Sequence, residues 1–153
     1  SSDLMLLRTA LFSLLLGASP TLPAAACTLT LTTGGTLALS ADATRLDSTV
    51  SGGAGAVITI LNVDITSATI SVAAPVLQAY PGGFDPGSAT LQVAYAGGGL
   101  LSSVTKGFTS SPSNFQVPAL LGVATILTVE NRIQTSAGFS TGTYQTSTVI
   151  TCS

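Results

Sequence analysis

Residues 28–32 read Thr28-Leu29-Thr30-Leu31-Thr32, with an apolar side chain at every second place and a hydroxyl between. A period of two belongs to a β-strand with one face turned to a core. The same rhythm returns at Leu91, Val93 and Tyr95, with Thr90, Gln92 and Ala94 opposite. Working outward from these, strands are expected at Thr28–Thr32, Thr36–Leu39, Ala56–Asp64, Ala68–Ala73, Ala89–Ala96, Asn114–Val117, Val123–Arg132 and Gly142–Cys152. Turn signals separate them: Gly34-Gly35, Ser51-Gly52-Gly53, Pro81-Gly82-Gly83, Asp85-Pro86-Gly87, Gly97-Gly98-Gly99 and Ser111-Pro112. Ala56–Asp64 is almost wholly apolar and reads as a central strand covered on both sides. Many short strands at this spacing indicate an all-β fold, a sandwich in preference to a barrel.

The composition agrees. Hydrophobic residues make up 46% of the 153 but charged residues only 7%, against about 25% in an ordinary soluble domain. Ser, Thr and Gly must keep the surface wet, which suits strands and turns better than helices. Net charge is −2, and Arg45, Lys106 and Arg132 are scattered. Phosphate binding needs clustered cations, so nucleic acid is excluded as a partner, as is electrostatic attachment to anionic lipid.

The first 26 residues read as a cleavable export leader with a helical apolar centre. Arg8 supplies the positive region, Leu11 to Leu16 the apolar run, and Pro20 and Pro23 break it. Ala24-Ala25-Ala26 carries the small residues a signal peptidase reads, Ala24 and Ala26 flanking the site. The run is shorter than the roughly 20 residues that span a bilayer, so membrane contact is expected only before cleavage. Ser1–Leu4 precede Met5, the residue read as the initiator, and have no physical account. Residues 27–153 then form a single domain, secreted, periplasmic or at the cell surface.

Cleavage after Ala26 makes Cys27 the first mature residue, and two fates stay open for it. It could be acylated, as in a lipoprotein, although Ala24 stands where such sites usually carry Leu. Alternatively it pairs with Cys152. Cys27 shares the parity of Leu29 and Leu31, and Cys152 that of Tyr144 and Ile150, so both thiols belong to inward faces. A bond between them would close nearly the whole mature chain and stabilise it by roughly 5 kcal/mol at most.

Chemistry is sparsely provided for. No histidine is present, which removes His-based metal sites and the usual general base near neutral pH. The carboxylates after the leader are Asp42, Asp47, Asp64, Asp85 and Glu130, and nothing in their spacing selects a catalytic pair. Asp85 lies in a turn, and Asp42 and Asp47 bracket Arg45 in what looks like a solvated loop. No enzyme activity, metal or cofactor is expected. Tyr80-Pro81-Gly82-Gly83-Phe84 places two aromatics about a turn, the one candidate for a ligand-stacking loop.

The leader, the cysteine at the mature start and the closing run Gly142-Thr143-Tyr144-Gln145-Thr146-Ser147-Thr148-Val149-Ile150-Thr151-Cys152-Ser153 resemble the secreted pilin-like families, in particular the spore-coat-protein-U-like group. The resemblance covers the two ends and the strand rhythm. It implies an immunoglobulin-like antiparallel sandwich and a non-enzymatic role in surface assembly with like subunits or another surface protein. If Cys27 is both first and bonded, however, the mature chain has no free extension to donate to a neighbour. The scarcity of charges points the same way as the resemblance, because soluble monomers place charges on exposed edges to prevent association. The alternative expectation is a secreted binding module for a glycan or protein ligand, built around Tyr80 and Phe84.

Overall fold

A computed structural model describes residues 10–17, 27–99, 102–119 and 123–153. Within them the chain is almost entirely β: β1 (Ala10–Leu16), β2 (Cys27–Thr33), β3 (Gly35–Leu39), β4 (Arg45–Asp47), β5 (Ala56–Asn62), β6 (Ala68–Val72), β7 (Val76–Ala79), β8 (Ala89–Gly99), β9 (Ser102–Thr109), β10 (Ser113–Val117), β11 (Ala124–Thr135) and β12 (Gln145–Cys152). One short 3-10 turn, Pro86–Ser88, precedes β8. The expected all-β sandwich is present. The run expected as a helical leader is extended over residues 10–16, while Arg8, Ala24 and Ala26 lie outside the described residues.

Two sheets pack face to face. One runs β10-β6-β12-β1-β3, with β7 continuing the row of β6 along the same edge of β12. The other runs β2-β5-β11-β8-β9, with β4 continuing the row of β5 along β11. Strand β3 joins them: Gly35, Thr36 and Leu37 pair with β1, and Ala38 and Leu39 pair with β4. The core between the sheets follows from period-two burial. Ala56, Ile58 and Ile60 of β5 and Leu127, Val129 and Ile133 of β11 meet Ile70 and Val72 of β6 and Ile150 of β12. The alternate residues of β5 are half-exposed, so its outer face is less covered than its composition suggested.

Strands β4, β7 and β9 were not anticipated, and Gly97-Gly98-Gly99, read as a turn, completes β8. The reason is steric. A Cβ on Gly97 would stand 2.0 Å from the Ile126 carbonyl oxygen of β11, and one on Gly99 would stand 2.9 Å from that of Ala124. Glycine lets β8 lie this close to its neighbour. Asp47 departs furthest from expectation: it sits in β4, fully buried, rather than in a solvated loop.

Two of the ties between the sheets involve β12. The first is polar and central. Asn131 of β11 donates through Nδ2 to Thr146 Oγ1 (3.0 Å) and accepts from Thr148 Oγ1 through Oδ1 (3.1 Å), all three residues being buried. The second is covalent: Cys27 of β2 and Cys152 of β12 are bonded across 125 residues. This settles the pairing of Cys27 and points to an oxidising compartment outside the cytoplasm.

Two outcomes are expected in urea denaturation. Replacing both cysteines by Ala should lower stability by about 2–5 kcal/mol; a loss below half a kcal/mol would show that the bond constrains little. Asn131→Ala should leave two buried hydroxyls unpaired at about 1–3 kcal/mol each, whereas an unchanged midpoint would mean that water reaches them.

Candidate functional site

A strand in the interior of a sheet has backbone donors and acceptors on both edges, and each needs a partner. One edge of β12 is met by β6 and β7. The other is met by β1 alone, in parallel register from Leu11 opposite Gln145 to Leu16 opposite Ile150. On its far side β1 runs antiparallel to β3, with Ala10, Leu11 and Phe12 opposite Leu37, Thr36 and Gly35. Thus β1 lies in a slot walled by β12 and β3. Leu14 turns into the core and is buried, Leu15 is exposed, and Ser13 accepts a hydrogen bond from the side-chain amide of Gln145.

The slot's walls are held from elsewhere in the fold. Thr146 and Thr148 of β12 are fixed to Asn131, and the end of β12 is fixed by the disulfide. β4 carries Asp47, whose Oδ2 receives Arg132 Nε at 2.7 Å. The Arg132 guanidinium also stacks 3.7 Å from the centroid of Phe108 on β9. Ser48 donates to Glu130 and receives the Asn131 backbone N–H at 3.0 Å. The seat for a strand therefore rests on walls that β1 does not itself hold.

The sequence-nominated ligand loop is arranged differently. Phe84 is buried, stacked on Phe139 at 5.7 Å between centroids and edge-on to Tyr144 at 5.1 Å. Tyr144 is fully buried, and its hydroxyl donates to the Ser140 carbonyl. Tyr80 alone of this cluster shows a large exposed ring, 45% accessible. The loop offers one exposed ring, and Phe84 closes the end of the core.

The carboxylates are spread through the fold, each with a local or core contact. Asp85 caps the 3-10 turn by accepting from Gly87 N at 2.9 Å. Asp64 accepts from Ile65 N. Asp42 accepts from the Ser40 hydroxyl and from Thr44, which holds its pKa down at about 2. For Asp47, burial raises the pKa most strongly among single influences. The Thr49 backbone N–H, the Thr49 hydroxyl and the Arg132 guanidinium together outweigh it, so the group lies below the usual carboxylate range.

The slot was missed in the sequence because its occupant was read as a leader. A four-to-eight-residue apolar run reads equally well as a buried strand. A depressed carboxylate stabilises the fold above its unfolded pKa, about 3.9, and that stability is lost as pH falls through the lower folded value. Asp47→Asn should therefore cost about 1–3 kcal/mol at pH 7, less than a fully buried pair because Arg132 stays 18% exposed. It should also flatten the fall in stability as pH drops below about 4. An acid limb as steep as the parent's would contradict the assignment.

Compared with models of known protein families and with curated proteins, the chain matches none.

Proposed function

We propose that this chain is an exported, non-enzymatic assembly protein of the cell surface, and that the slot between β12 and β3 is where it accepts a strand from a partner. One observation supports the reading: the strand that fills the slot, Ala10–Leu16, covers the apolar run Leu11–Leu16 that the sequence reads as an export leader. Cleavage after Ala26 takes that strand away. The processed domain is then left with the free edges of β12 and β3 above Leu37 and Ile150 of the core. An edge of this kind is a template for main-chain pairing with another polypeptide, which is the chemistry of β-strand addition. Cleavage after Ala26 would leave the disulfide-bonded Cys27 at the head of β2 with no strand ahead of it, so the strand that fills the slot would come from a different polypeptide. The pilin-like resemblance of the two termini agrees with this reading.

A glycan-binding module is the weaker alternative. It rests on the exposed ring of Tyr80, and Phe84 is unavailable to it.

The processed protein, beginning at Cys27, should bind a synthetic peptide of residues 10–17 carrying solubilising lysines beyond the strand. At a hundredfold excess over Kd, such a ligand contributes about 2.7 kcal/mol, so Tm should rise by several degrees. A peptide with Leu14→Asp should not act. Equal Tm with and without the parent peptide, or equal shifts from both peptides, would overturn the strand-accepting reading. Loss of glycan binding on Tyr80→Ala in a protein indifferent to the peptide would favour the module.

A further inference from the structure

The described strands leave four edges unpaired, at β2, β7, β9 and β10. Three carry the devices that keep sheet edges from associating. β7 and β10 have four and five residues, and prolines flank both: Pro75 and Pro81, Pro112 and Pro118. β9 bears Lys106 and is bulged against β8. β2 is the least protected. It too is bulged against its neighbour, between Leu31 and Thr33. Its seven residues, Cys27–Thr33, hold neither a charge nor a proline, and its one neighbour, β5, is uncharged as well.

The sequence of that edge is also its own reverse. Thr28-Leu29-Thr30-Leu31-Thr32 reads the same in both directions. An antiparallel partner related by a two-fold axis through Thr30 would set Leu29 against Leu31 and Thr30 against its own copy, with Thr28 meeting Thr32 at the bulge against β5. A two-fold contact requires this self-complementarity. Alternation also keeps Thr on one face and Leu on the other, so both faces match across the joint. Leu31 is 38% exposed although it shares the inward parity of Leu29; a partner strand would cover it. Charge matters most at the axis, where any ionised residue must face its own like, and none is present.

We infer that β2 pairs with β2 of a second copy of this chain, joining two five-stranded sheets into one continuous sheet. The contact lies on the sheet opposite the slot between β12 and β3. It goes beyond the strand-accepting reading and does not depend on it, and a subunit using both surfaces could extend an assembly in two directions.

Sedimentation velocity of the exported protein tests this, with the peptide of residues 10–17 present in excess so that contacts through the slot are suppressed. A dimer is expected. Thr30→Lys should raise its dissociation constant at least tenfold with Tm unchanged, because two ammonium groups then face each other. Thr30→Glu should do the same, and an equimolar mixture of the two variants should dimerise again, which misfolded variants could not do. A monomer throughout, a dimer unmoved by Thr30→Lys, or a mixture that stays monomeric would overturn the inference. Failure of the peptide to bind bears on the slot alone.

Discussion

The backbone of β12 sets the terms for the rest of the molecule. Its inward residues Thr146, Thr148 and Ile150 belong to the core, and its neighbours β6 and β7 cover one edge. The six residues from Gln145 to Ile150 need a second partner on the other edge, and β3 is a full strand away, reached only through β1. An interior strand with one edge open is a costly arrangement unless water or another chain meets it. If the leader reading holds and β1 is removed, the binding chemistry of this sandwich lies in its main chain.

Such a site functions only if its walls persist when the seat is empty. β12 is tied to the opposite sheet by Asn131 and by the disulfide to β2, and neither tie involves β1. β4, which pairs with the last residues of β3, is anchored through Asp47 to Arg132. The costs of burying these polar groups are offset by full pairing, and together they keep the two walls in register.

Fold class, the disulfide and most strands of the second sheet were legible because period-two burial writes itself into residues such as Val93 and Tyr95 or Leu127 and Val129. The short strands β4 and β7 were not, since three or four residues carry too little periodicity. The triple glycine hid the end of β8, where contact with β11 rather than turn formation dictates the residue. Asp47 and Arg132 lie 85 residues apart, and only tertiary structure joins them. The slot was illegible for a different reason: an apolar run in a leader and an apolar run in a buried strand have the same composition, and only the pairing with β12 and β3 distinguishes them.

Amide hydrogen exchange along β12 tests the central claim most directly, measured on the processed protein alone and in its native assembly. Amides between Gln145 and Ile150 that point toward β3 should exchange rapidly in the isolated protein and be strongly protected in the assembly, while those pointing toward β6 and β7 stay protected in both. Full protection of both sets in the isolated processed protein would mean that no slot opens and would contradict the account.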